Sequence, residues 1–296
     1  MIHIIDLHFQ GRPGTIAAFL VETSEGPVLV ESGPATTLDA LEEGVRRAGH
    51  ALTDIQHVLL THIHFDHAGA AWRLAEHGAT IHIHPFGADH LADPEVLWKS
   101  AKRIYGDAME GLWGEMHASP AAQIHACEDG QTITLGDQTF TAWHTPGHAK
   151  HHIAWQLGEA LFTGDIAGVS LKGGPVRPPC PPPDIDLEAW AQSIHRLRAC
   201  EAQTLYLTHF GKVTDIAPHL IALEHSLQDW CGWMEARVSD TPLPELIPMF
   251  EAYVAKSLRE HGLSQAAIAD YEIANPAFMS VSGLSRYLYK RDQRTT

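Results

Sequence analysis

The sequence predicts an α+β chain in which two β-sheets pack against each other with helices outside, followed by a C-terminal helical extension. Two observations predict it. Short apolar runs punctuated by Gly and Pro come in two successive rounds, each followed by segments with helical spacing. Beyond about residue 214 the pattern turns mainly helical. The expected division is a core domain over residues 1–239 and a helical extension over 240–296 that packs on it rather than standing as an independent domain.

The elements follow in order. IHIIDLHF, TIAAFLVET and PVLVES read as the first three strands. Residues 36–48 read as a helix, with Leu38, Leu41 and Val45 at helical spacing and Gly49 as its stop. IQHVLL (55–60) is an apolar, buried strand that ends at THIHFDHAGA. A helix over 66–77, a strand over 79–84 and a less regular helical stretch over about 86–117 come next. The second round has strands at TITL, QTFTAWH, HIAWQL and ALFTGD, a helix over 186–199, and a last strand, QTLYLTH (203–209). Between them, residues 173–183 carry six prolines. Such a segment can neither continue a helix nor donate regularly to a sheet, so it is a stiff loop, either a connector or a rigid wall beside a site.

Composition excludes some functions. The formal net charge of −16 argues against a nucleic-acid partner, because phosphate binding relies on a basic footprint. The N-terminus lacks the basic and apolar regions of a secretory signal, and no apolar run approaches the roughly 18–20 residues that span a bilayer. The four cysteines lie far apart and form no CxxC pair, as expected of free thiols in a reducing cytoplasm. The unusual number is 22 histidines, more than the 20 Lys and Arg together. Histidine is the commonest metal ligand, so their spacing carries the argument.

In an extended segment, side chains at i and i+2 point the same way, so His62 and His64 can converge on one ion. Asp66 and His67 follow where the strand has ended and can be aimed at a second ion. Four ligands are too many for one catalytic metal with an open position and too few for two. His148 in TPGH, Asp165 in FTGD and His209 in LTH each sit at the end of an apolar strand, where an ionisable group is costly unless paired or metal-bound.

With HxHxDH at 62–67 followed by His148, Asp165 and His209, the chain resembles the metallo-β-lactamase superfamily of hydrolases over roughly residues 1–235. The resemblance implies a four-layer αββα sandwich with the metals at one edge of the two sheets. It implies two divalent ions, zinc as the leading expectation with iron or manganese as alternatives. His62, His64 and His148 would hold one ion, Asp66, His67 and His209 the other, with Asp165 bridging. Hydroxide generated at neutral pH by such a centre would attack a carbonyl and need no serine or cysteine nucleophile. Asp66, a ligand with a spare oxygen, is the candidate catalytic residue, to orient the nucleophile or deliver a proton to the leaving group. Glu31 stands where the family usually has an aspartate that supports a ligand histidine.

The chain lacks the cysteine-glycine-arginine stretch of orthodox glyoxalase II after FTGD, while NPAFMSVSGLSRYLYK resembles a tail of glyoxalase-II-like hydrolases and is expected beside the active site. The expectation is therefore a cytoplasmic dinuclear hydrolase of an ester, thioester or lactone, acting on a small-molecule substrate without nucleic acid or membrane, with a homo-oligomer left open. Lys172 and Arg177 are weaker candidates for gripping a substrate carboxylate. His82 and His84 repeat the i, i+2 spacing without a following Asp-His pair and are read as structural, as is His144. Of His151 and His152, one is expected near the site and neither as a ligand. The rivals are a mononuclear-iron persulfide dioxygenase and a non-enzymatic metal-binding sensor on the same scaffold.

Overall fold

A computed structural model describes residues 1–295. The first sheet contains β1 (Ile2–Asp6), β2 (Ala17–Val21), β3 (Val28–Val30), β4 (His57–Leu59), β5 (Thr80–Ile83) and β6 (Ile124–Ala126), in that spatial order. β1 to β3 are antiparallel, and β3 to β6 run parallel. The parallel steps are bridged by helices: α1 (Leu38–Arg47), then α2 (Phe65–Ala68) and α3 (Ala71–Glu76), then α4 (Pro85–Ala92), α5 (Glu95–Tyr105) and α6 (Met109–Trp113).

The second sheet contains β7 (Thr132–Leu135), β8 (Gln138–His144), β9 (Ile153–Leu157), β10 (Ala160–Gly164), β11 (Thr204–Leu207) and β12 (Gly211–Val213), also in sequence order. Only β10 and β11 are parallel among these, and α7 (Leu187–Ala199) makes their crossover. The remaining helices are α8 (Ile216–Glu235), α9 (Leu243–Glu260), α10 (Gln265–Ala274) and α11 (Ala277–Thr295).

Two-residue alternation sorts the side chains into layers. On β2, Ala18 and Leu20 face the helices, while Ala17, Phe19 and Val21 face the other sheet. Phe19, Phe140, Trp155 and Phe162, contributed by both sheets, fill the space between them with no exposure. Each such side chain is worth roughly 1.5–3 kcal/mol of burial. Both faces of these strands are covered, which is why they read as continuous apolar runs. The four-layer αββα sandwich is thus present. Leu246, Phe250, Val281 and Leu284 of the C-terminal helices join Leu161, Leu205 and Leu207 in one core behind the second sheet.

Two local differences from the sequence expectation have physical reasons. The single helix expected over 66–77 is interrupted at Gly69 and Ala70, because the His67 carbonyl accepts from Ser32 N and Gly33 N instead of continuing the helix. A Cβ on Gly69 would sit 2.4 Å from the Phe65 carbonyl oxygen and 3.0 Å from Pro34 Cα, so only glycine allows this approach. The other difference is a pair of added edge strands, β6 and β12, each three residues long and too short to show an alternation.

Candidate metal centre

The ligand candidates converge at one end of the sandwich, on the segments that follow strands. His62 and His64 follow β4, and Asp66 and His67 lie in α2. His148 lies between β8 and β9, Asp165 directly follows β10, and His209 sits between β11 and β12. His62, His67, His148, Asp165 and His209 are all essentially buried.

They form two groups. In the first, His62 Nε2 is 2.8 Å from His64 Nδ1, which is 3.0 Å from His148 Nε2. His148 Nε2 is 3.2 Å from Asp165 Oδ2. In the second, His67 Nε2 and His209 Nε2 lie 3.3 and 3.4 Å from Asp165 Oδ1. Asp66 Oδ2 is 3.4 Å from His209 Nε2 and 3.7 Å from His67 Nε2. Asp165 therefore turns one carboxylate oxygen toward each group.

The donor set fits a pair of cations. His67 Nε2, His209 Nε2 and Asp165 Oδ1 are buried polar atoms with no hydrogen-bond partner, an expensive condition for a folded protein. Ligands placed about 2.0–2.1 Å from a tetrahedral ion lie about 3.4 Å apart, close to the separations seen around Asp165. The far ring nitrogens are already engaged. His148 Nδ1 donates to Pro179 O and His209 Nδ1 to Thr15 O, both at 2.8 Å, while His67 Nδ1 donates to Glu31 Oε1 at 2.9 Å. His62 Nδ1 lies 2.9 Å from Thr61 Oγ1. Such contacts fix the tautomer that leaves the other nitrogen's lone pair free to bind.

Electrostatics divide the groups. Burial and the neighbouring His67, His64 and His148 hold His62 well below its ordinary range, and burial with His148 pushes His64 down to about 3. Burial opposes a charge on His67, but Asp165, Asp66 and Glu31 outweigh it and lift this residue well above its ordinary value. Burial likewise works against ionised Asp165, yet His67, His148 and His209 hold the carboxyl well below the usual carboxylate range. The first group is a set of neutral imidazoles, the second a more basic set held between carboxylates.

Glu31 is fully buried in the left-handed region at φ 65°. Besides His67, it accepts from Thr61 Oγ1 at 2.6 Å, Thr61 N at 3.2 Å and Thr208 Oγ1 at 3.2 Å. The longer glutamate side chain reaches its histidine. His152 lies behind Asp165, whose backbone N–H donates to its Nε2 at 3.3 Å, while His151 lines the opening above the centre.

That opening is a cavity of about 780 Å³ with His64, Asp66, His148, Asp165 and His209 on its floor. Its walls are mostly apolar: Ile63 and Phe65, then Leu97, Ile104, Leu112 and Trp113 from α5 and α6. Pro179, Pro181, Pro182 and Pro183 form a rigid side, and Ile273, Phe278 and Met279 come from the C-terminal helices. The proline-rich segment is thus a wall, and the NPAF stretch packs beside the centre. Lys172 and Arg177 do not line this cavity, which corrects the expectation that they grip substrate. Lys172 Nζ donates to Pro13 O, and Arg177 is buried and donates to Ser257 Oγ at 2.6 Å and Ser226 Oγ at 3.4 Å. The sequence pointed to the proline segment and the NPAF stretch but not to the α5–α6 part of the wall, which only the packing of separate layers brings against them. Helical spacing in EVLWKSAKRIY was the local signal for that part.

A family model described as "Metallo-beta-lactamase superfamily" matches residues 11–209. A metallo-beta-lactamase fold-containing protein, ST1585 of Sulfurisphaera tokodaii, is 28% identical over 167 residues, 55% of this chain and 63% of that protein. An atrochrysone carboxyl ACP thioesterase of Aspergillus fumigatus is 25% identical over 205 residues, 68% of this chain and 39% of that enzyme. The matches thus span less than two thirds of those relatives' own lengths. The solved structure of TTHA1429, a metallo-beta-lactamase family protein from Thermus thermophilus, shares the fold with a TM-score of 0.71 at 21% identity, covering 98% of this chain and 94% of that one.

Proposed function

The chain belongs to the metallo-β-lactamase superfamily, and from that premise we propose that it is a dinuclear metal-dependent hydrolase of esters or thioesters carrying a bulky apolar acyl group. A lactone offers the same carbonyl in a ring. The observation that carries this reading is the apolar cavity standing directly on Asp165 and its two groups of histidines. An ACP thioesterase among the relatives points to thioesters ahead of other acyl compounds.

Bound divalent cations, with zinc expected, would supply hydroxide at neutral pH and polarise the scissile carbonyl. The chain's own residues do the rest. Asp165 aligns the two groups through its two oxygens. Asp66, one oxygen toward His209 and His67 and its side chain on the cavity floor, is placed to orient the attacking water and pass a proton to the leaving group. Pro179–Pro183 and the α5–α6 wall exclude bulk water from the acyl side. Burial of each methylene in such a wall contributes about 0.8 kcal/mol, or roughly fourfold in affinity.

The mononuclear-iron reading leaves Asp66, His67 and His209 without an ion; His67 Nε2 and His209 Nε2 then have only ion-pair contacts of 3.3–3.7 Å to carboxylates and no hydrogen bond, which favours two ions. The test is hydrolysis of an acyl-thioester series by the metal-loaded chain. kcat/KM should rise with acyl length until the cavity is filled. Absence of turnover across esters, thioesters and lactones at full loading would assign the chain to the binding proteins. Oxygen consumption with one iron per chain would make it a dioxygenase.

A further inference from the structure

The layer between the sheets changes character at the β4–β5–β6 edge. Register pairs Leu59 with His82 and His82 with His125. Ile81 and Ile83 face the outer helices, so His82 faces the second sheet together with His57, His125 and Cys127. Elsewhere this layer is filled by side chains such as Phe19, Phe140 and Phe162. Here three imidazoles and a thiol take their place, beside no carboxylate that could bond to them among the hydrogen bonds of the described residues.

One donor atom each from His82, His125 and Cys127 lies within 4.8 Å of the other two. His82 is 4% exposed, and its Nδ1 is fully buried without any hydrogen-bond partner. Its Nε2 is 3.1 Å from His57 Nδ1, the kind of outer contact that fixes the tautomer of a metal-binding ring. Cys127 is buried, and its thiol makes a weak 3.5 Å bond to the His125 carbonyl. His125 reaches the surface and gives an ion its way in.

We propose that His82 Nδ1, His125 and Cys127 form a second, sulfur-containing cation site that pins the short edge strand β6 to β5. The ligand class is a borderline-soft ion such as zinc, which favours two imidazoles and a thiolate. His57 orients His82 from behind. On binding, the Cys127 thiol gives its proton to solvent and its sulfur bonds to the ion; no electron is transferred. Gln131 Nε2 donates to His125 Nε2 at 3.0 Å, a contact that coordination through that nitrogen would replace.

The main centre contains no sulfur, which makes the new site separately visible. Cobalt(II) added to the full metal-free chain should produce a near-ultraviolet sulfur-to-cobalt charge-transfer band. That band should disappear in Cys127→Ser and weaken at least tenfold in apparent affinity in His125→Ala, while persisting in Asp165→Asn. Because Cys127 is buried, the surface variant His125→Ala decides the matter should Cys127→Ser fail to fold. No sulfur band in the native chain, or a band unaffected by His125→Ala, would overturn the proposal. Neither outcome depends on whether the chain hydrolyses anything.

Discussion

Glu31 Oε1 accepts a hydrogen bond from His67 Nδ1 at 2.9 Å, with both side chains fully buried. The same carboxylate collects Thr61 and Thr208, so it ties the loop after β3 to the loops after β4 and β11. Glu31→Gln keeps the size but loses the charge that makes His67 a stronger donor to a cation. Metal affinity of the second group should fall about 10–100-fold, read by competition with a chelator, while the first group keeps its ion. Unchanged affinity would remove Glu31 from the account.

Asp66 is the residue whose chemistry and ligation are hardest to separate. Asp66→Asn retains an oxygen ligand but cannot accept and return a proton. With metal content matched to the native chain, kcat should drop about 10²–10⁴-fold with little change in KM. Full turnover with a full metal complement would limit Asp66 to ligation.

The wall should set chain-length preference. Phe278→Ala and Trp113→Ala each remove a large apolar surface from the cavity. KM for a long-chain acyl thioester should rise about 10–100-fold, with acetyl thioesters nearly unaffected. Equal losses on short and long substrates would show that the wall supports the fold instead.

Glu272 lines the same cavity, and its Oε1 accepts from Ala277 N at 3.0 Å. Burial, with a smaller push from Glu251, lifts its pKa from the ordinary 4.5 to about 7. The folded chain therefore binds more protons than the unfolded one between these values. The stabilisation from this group is complete below about 4.5 and is lost as pH rises through about 7. Glu272→Gln removes that loss, so with metal content fixed the variant should gain on the native chain by up to about 3 kcal/mol between pH 4 and pH 8. Denaturant unfolding at both pH values measures the difference; a constant gap would contradict it.

The convergence of the seven ligand candidates was legible because four are clustered in HxHxDH and His148, Asp165 and His209 each close an apolar strand, placements that short-range pattern exposes. Glu31 was legible from its turn but not in its reach, since the extra methylene matters only against the position of His67. The proline segment and the NPAF stretch were legible as neighbours of a site, but Ile63 and Trp113 were not, because packing of separate layers brings them to the same wall. Arg177 was misleading for a related reason. Its place after FTGD suggested substrate contact, but the chain returns inward there, pairing Val169 with Arg177, and buries the guanidinium against Ser226 and Ser257. The histidines at 82 and 125 share a face only through the β5–β6 register, which sequence alone does not supply.

The most direct test of the central claim is stepwise zinc addition to the metal-free His125→Ala chain, which lacks the edge ligand at the surface, with hydrolysis of a long-chain acyl thioester followed at each step. Turnover should continue to rise until two ions per chain are bound, as Asp165 serving two groups of histidines requires. Saturation at one ion, or no turnover at two, would contradict it.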